Sequence, residues 1–106
     1  MPAFAELTEK IAFRAEKMTK CNIFDSENMF CDVYCFEPGQ TQKPHAHEGS
    51  DKIYCVLDGV ADVQIGDETR RLASGGLAHA GPGVDHGVTN PGPGRLTVLV
   101  FMAPKP

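Results

Sequence analysis

The feature that most limits this chain is how often it turns. From residue 17 onward, glycines, prolines and Asx-rich clusters cut the sequence into short apolar or alternating runs, none of which reaches the length of an average helix. Segment 17–24 stops at Asp25-Ser26-Glu27-Asn28, and segment 29–36, rich in β-formers, stops at Glu37-Pro38-Gly39. Segment 42–47 reads as a short strand before a Glu48-Gly49-Ser50 loop, and the apolar run 53–57 is closed by Asp58-Gly59, a hairpin signal. Val60, Ala61, Val63 and Ile65 are interleaved with Asp62 and Gln64, and Gly66-Asp67 turns the chain back into 68–72. Gly75-Gly76, the run 77–80, the bend Gly81-Pro82-Gly83 and the runs 87–90 and 95–102 complete the set. Short strands at regular spacing with turn residues between them predict an all-β sandwich or barrel. Ahead of them, 4–16 mixes Ala, Glu and Lys with Leu7, Ile11 and Phe13, a pattern that fits a short helix or an irregular arm.

A chain of 106 residues has room for one domain. The expected division is an N-terminal arm over 1–16, packed on a barrel over 17–106. The 11 glycines and 8 prolines are spread as punctuation, so no linker or low-complexity segment separates a second unit. A formal charge of −4 leaves no basic stripe for neutralising phosphates, and nucleic acid is not an expected partner. No apolar run is long enough to cross a bilayer, so no membrane partner is expected either. The first residues carry early acids and no apolar core of a signal peptide, which predicts a cytoplasmic protein. Four cysteines, at 21, 31, 35 and 55, form no Cys-x-x-Cys pair and are expected as reduced thiols.

The histidines carry the chemistry. His45-Ala46-His47 places two imidazoles at i and i+2, which on an extended strand point to one face and can approach one ion together. His86 follows the Gly81-Pro82-Gly83 bend, where a return strand begins. A third imidazole supplied from across a barrel completes a facial set and leaves coordination positions open.

At these residues the sequence resembles the cupin family. That family's first motif runs Gly, five residues, His-x-His, three or four residues, Glu, six residues, Gly. Here Gly39 precedes His45-Ala46-His47 by the same interval, and Gly59 is the closing glycine. The second motif runs Gly, five residues, Pro-x-Gly, two residues, His, three residues, Asn; here it is matched by Gly75, Gly81-Pro82-Gly83, His86 and Asn90. The resemblance implies a cupin-type antiparallel β-barrel, the double-stranded β-helix or jelly roll. It also implies a divalent metal (zinc, iron, nickel or manganese) held by His45, His47 and His86. Proline stands one place later in the second motif than usual, which alters a loop and not the fold.

The larger departure is at the glutamate. Counting back from Gly59 over six intervening residues lands on Lys52. An ammonium cannot coordinate, and at about 4 Å with an effective dielectric near 20 it repels each unit of positive charge by about 4 kcal/mol. Asp51 and Glu48 lie next to the motif positions, but one residue along a strand reverses the face. Two readings follow. One is a three-histidine metal centre, an arrangement the family includes, serving a metal-dependent small-molecule enzyme of dioxygenase, isomerase or decarboxylase type. The other is a non-catalytic barrel in which Lys52 and the imidazoles bind or sense a small anionic ligand without metal. Tyr54 shares parity with Lys52 and is expected to line the same pocket and meet the ligand. His79 shares a face with Leu77 and is expected to be a non-ligand. A homodimer is expected, as in small cupins, since a lone barrel would leave the surface of 95–102 or 4–13 exposed.

Overall fold

The computed structural model describes residues 2–106. Among them nine strands form two antiparallel sheets. The larger sheet is built from β1 (Thr19–Asp25), β2 (Phe30–Phe36), β9 (Leu96–Ala103), β4 (Asp51–Asp58) and β7 (Leu77–Ala80), in that spatial order. The smaller has β3 (Thr41–His45), β8 (His86–Thr89), β5 (Val60–Ile65) and β6 (Glu68–Ala73). After β2 the chain passes back and forth between the sheets, so neither sheet is built from one continuous stretch of sequence. The whole is a double-stranded β-helix.

Period-two alternation decides what faces inward. On β4 the buried residues are Lys52, Tyr54 and Val56, and on β5 they are Ala61 and Val63. Register then stacks the inner side of the larger sheet in rows. Tyr34 pairs with Val98 and Val98 with Val56; Asp32 pairs with Val100 and Val100 with Tyr54; Phe30 pairs with Met102 and Met102 with Lys52. The valine-rich rows form the apolar core with Phe36 and Leu96, while Asp32 and Lys52 bring charge into one end of it.

Asn90 closes the other end. Its side chain donates to the carbonyls of Phe36 (3.1 Å) and Gly94 (2.9 Å) and accepts from the Gly92 amide (2.8 Å). This motif residue is a staple between strands and takes no part in the histidine site.

One open alternative is decided and two expectations change. The N-terminal segment is an irregular arm with a single 3-10 turn, Leu7–Glu9, because its few apolar residues do not repeat with helical period. The run 95–102, read as a strand that a lone barrel leaves exposed, becomes the central strand β9, between β2 and β4, and only Leu99, Phe101 and Ala103 escape full burial. What stays open there is a hollow of about 570 Å³ between the arm and the outer face of the larger sheet, floored by Leu57, Leu99 and Phe101. The second change, the early end of β3, bears on the site. All four cysteines are free, and burial pushes the Cys31 and Cys35 thiols up, which makes them inert.

Gly59 shows how tightly the turns are drawn. It has φ +88°, and a Cβ there would lie 2.3 Å from the Arg95 carbonyl oxygen. Gly59→Ala is therefore expected to destabilise the fold by at least about 2 kcal/mol, measured by urea denaturation. An unchanged midpoint would show that the β4–β5 hairpin is looser than this geometry.

Candidate metal centre

The site begins with a defect in strand pairing. On β3, Gln42 pairs with Val88 and His45 with His86, so three steps along β3 match two along β8. The extra residue is a bulge at Lys43-Pro44, where proline's missing amide costs the ladder nothing. Opposite it lies Gly87, where a Cβ would sit 2.8 Å from the Gln42 carbonyl oxygen and 3.0 Å from the Pro44 nitrogen. Only glycine lets the bulged strand come this close, and the approach sets His45 directly beside His86.

Strand β3 ends at His45, so His47 is not on the strand as the i, i+2 argument required. It reaches the same place from the following loop, whose position is set by the Gly83 amide donating to the His47 carbonyl at 2.9 Å. The Gly81-Pro82-Gly83 bend thus holds one histidine by its backbone and delivers another three residues later. Ring centroids lie 4.4 Å apart for His45–His86, 4.9 Å for His45–His47 and 5.6 Å for His47–His86. One nitrogen of each ring falls within 4.8 Å of the others.

The tautomers are fixed from behind. Nδ1 of His86 meets the Val84 carbonyl at 2.9 Å and Nδ1 of His45 meets the Lys43 carbonyl at 3.0 Å. A carbonyl only accepts, so each Nδ1 carries a proton, and in the neutral ring Nε2 keeps the lone pair. Burial, reinforced by Lys52 and the neighbouring rings, pushes His86 down to about 4, and burial lowers His47 as well. His86 is therefore neutral at neutral pH. Its Nε2 is buried and has no hydrogen-bond partner among the described residues. A buried acceptor without a donor is costly unless something electropositive meets it, and the donor set suits a divalent transition ion.

Lys52 faces inward, as its position in the motif predicts, and is 2% exposed. Its ammonium lies 5.3 Å from the ring centroids of both Tyr34 and Tyr54 and forms no ion pair among the described residues. Burial, then the nearby Lys20, push it down to about 8, while Asp32 pulls the other way. The Tyr54 hydroxyl donates to Gln42 Oε1 at 2.8 Å, and its ring stands 6.1 Å from that of His86. Burial raises both tyrosines, so their phenols stay protonated. Asp51 turns outward to His79, with Oδ1 and Nε2 2.7 Å apart, both largely exposed. That pair removes Asp51 as a substitute ligand and His79 from the centre.

Lys20, Asp32, Tyr34 and Gln42 also border this interior and are not singled out by the sequence. Polar residues that alternate on a strand read as its wet face, and only parity with Lys52, carried across β9, turns Asp32 and Tyr34 inward.

Comparison with known proteins agrees with this architecture. The cupin domain family matches residues 32–102, and the chain belongs to that family. An uncharacterized protein of Streptomyces coelicolor is 32% identical over 80 residues, covering 74% of this chain and 73% of its own. A crystal structure from Thermus thermophilus superposes with a TM-score of 0.94 at 43% identity, over 97% of this chain and 98% of that one. An uncharacterized double-stranded β-helix protein from Klebsiella pneumoniae reaches 0.90 at 23% identity, covering 98% and 91%, and shows the fold alone.

The buried lysine gives a signed pH dependence. Below about 8 both folded and unfolded chains hold its proton, and the cost of burying charge is fully present. Between that value and the ordinary 10.5 the unfolded chain binds more protons, so stability rises with pH, by about 3 kcal/mol in all. Lys52→Met should be more stable than wild type near neutral pH by about 1–3 kcal/mol and lose that rise. Urea denaturation at about pH 7 and about pH 9.5 checks both. A destabilised variant at neutral pH would mean that the two tyrosine faces more than offset desolvation.

Proposed function

We propose that this cupin is a metal-dependent enzyme acting on a small acidic molecule, with His45, His47 and His86 as the metal ligands. The observation that carries the reading is the His86 Nε2 atom, buried, unprotonated and without a partner among the described residues, beside two further imidazoles. Zinc, iron, nickel or manganese held there supplies Lewis acidity or redox chemistry, and three ligands leave positions open for a substrate oxygen. Dioxygenase, isomerase and decarboxylase chemistry all fit such a centre.

The chain's own residues do the rest. Lys52 holds an acidic group of the substrate, its ammonium steered by the Tyr34 and Tyr54 faces. Tyr54, fixed through Gln42, excludes water from the apolar side of the pocket. The acidic group of the substrate lies between the Lys52 ammonium and the dication and offsets their repulsion, so the two coexist.

A second reading is a barrel that binds or senses a small anion without metal. The specific support for it is the same Lys52, a buried ammonium with no carboxylate within ion-pair distance among the described residues.

Metal analysis after growth with the four metals separates the two. The enzyme reading expects a near-stoichiometric ion, lost in His86→Ala. It also expects Lys52→Glu to bind metal at least about tenfold more tightly in chelator competition, since an anionic oxygen replaces a repelling charge. Wild type and variant both metal-free, with anion binding abolished by Lys52→Glu, would establish the second reading. A variant that loses metal held by the wild type would mean that Lys52 does not occupy the glutamate position.

A further inference from the structure

A cleft of about 870 Å³ runs along the outside of the barrel from the N-terminal arm to His45. Arg14 lines it from the arm, Lys17 from the segment leading into β1, Lys20 from β1 and Lys43 from β3, and no carboxylate belongs to its lining. In a chain with 14 acidic and 10 basic residues this is a marked segregation.

Of the six cations elsewhere, four are paired with acids, while Lys10 and the buried Lys52 have no ion pair among the described residues. Arg71 pairs with Asp62 at 2.8 Å, Arg95 with Glu37 at 2.9 Å, Lys105 with Asp25 at 2.6 Å and Arg70 with Glu68 at 2.5 Å. In the cleft, Lys17, Lys20 and Lys43 have no ion pair among the described residues, and only Arg14 approaches an acid, Glu16 at 3.7 Å, with both exposed. Gathering unpaired like charges costs free energy in the empty protein and is relieved by a bound anion.

The cleft wall is built. Gln40 Nε2 donates to the carbonyls of Arg14 (2.8 Å) and Ala15 (3.3 Å), and the Thr19 hydroxyl donates to the Ala12 carbonyl. Phe13 is held under the Arg95 guanidinium, 4.4 Å from the ring centroid. At the inner end, the Lys20 ammonium lies 5.4 Å from the centroid of Tyr34, the ring that Lys52 also faces. Asp32, held by Asn22 at 2.9 Å, is the nearby carboxylate that partly offsets these two lysines. The cleft and the barrel interior therefore share a wall of positive charge.

We infer that this cleft is the binding channel for an elongated small molecule carrying two or more acidic groups, one end beside Lys20 and His45 and the other against Arg14, Lys17 and Lys43. A single acidic group would leave most of these cations unmatched, so the spread of charge fixes the ligand as multiply acidic. The cleft lining holds no Phe, Tyr or Trp on which successive bases stack, which favours a small polyanion over single-stranded nucleic acid. This deepens the proposed function by naming the substrate class, and rests on it only for what happens at the histidine end.

The test is calorimetric titration of chelator-treated protein at low salt with acetate, glutarate, tricarballylate, pyrophosphate and a short oligonucleotide. Tricarballylate or pyrophosphate should bind at least about tenfold more tightly than acetate, because each ammonium–anion contact at an exposed site is about a twofold to fivefold effect. Preference for one or the other distinguishes carboxylate from phosphate. Lys17→Ala/Lys43→Ala should weaken that binding about fivefold or more, whereas Arg70→Ala/Arg71→Ala, an equal charge change on β6, should alter it less than about twofold. Equal affinity for acetate, equal losses in the two double variants, or tighter capture of the oligonucleotide would overturn the inference. Because metal is removed beforehand, a chain that never holds metal yet binds polyanions as expected refutes the proposed function and leaves the channel standing.

Discussion

The histidine site depends on one contact between backbones, the approach of the bulged β3 to Gly87 on β8. An unbroken ladder would have put His45 out of step with His86, and any side chain at position 87 would push the strands apart at the Gln42 carbonyl and the Pro44 nitrogen. With the bulge in place the two histidines become direct partners, each with its Nδ1 satisfied by the carbonyl two residues before it. The same local solution, used twice, leaves two Nε2 lone pairs converging. His47 then needs only the Gly83 amide to bring its loop to the same point. Precision at the centre is therefore a property of backbone hydrogen bonds, which is why it can be held by short strands.

That precision is set against an interior that is expensive to maintain. Lys52, Asp32, Tyr34, Tyr54 and Gln42 bring charge and hydroxyls into the end of a small barrel, directly against its apolar rows. The valine-rich inner faces of β9, β4 and β5 supply the burial that offsets this, and the buried His86 Nε2 and Gln42 Nε2 remain without partners among the described residues. Proteins keep such costs where function requires them, so the location of the cost marks the working end of the fold.

Much of this is legible in the sequence, for identifiable reasons. Turn residues delimit strands reliably when glycine and proline supply them, and the turns at Gly59 and Gly83 fall where those residues predict them. Parity along β4 holds because an uninterrupted strand obeys period two, and so Lys52, Tyr54 and Val56 face inward together. Parity fails at His45-Ala46-His47, where a bulge and a loop replace the strand, although the convergence it is meant to explain is present. Nothing local announces a bulge except Pro44, and nothing local announces that Gly87 lies against it. The meeting of Asp32 and Lys20 with Lys52 is equally silent, since it is fixed by pairings far apart in the chain. The arm is ambiguous because its conformation is dictated by Gln40, Thr19 and Arg95 rather than by its own propensity.

Lysine in place of the family's glutamate changes the electrostatic sense of the whole barrel end. A carboxylate at position 52 would make the centre a four-ligand site and leave the interior anionic or neutral. With Lys52 there, the negative charge that balances a metal, or that replaces one, has to come from outside. The arm is fastened against the barrel edge, and the cations of the cleft lead toward His45 with Lys20 at the junction. On the reading proposed above, the missing ligand and the basic cleft are two sides of one design, in which the ligand's own acidic groups complete an electrostatic balance that the protein leaves open.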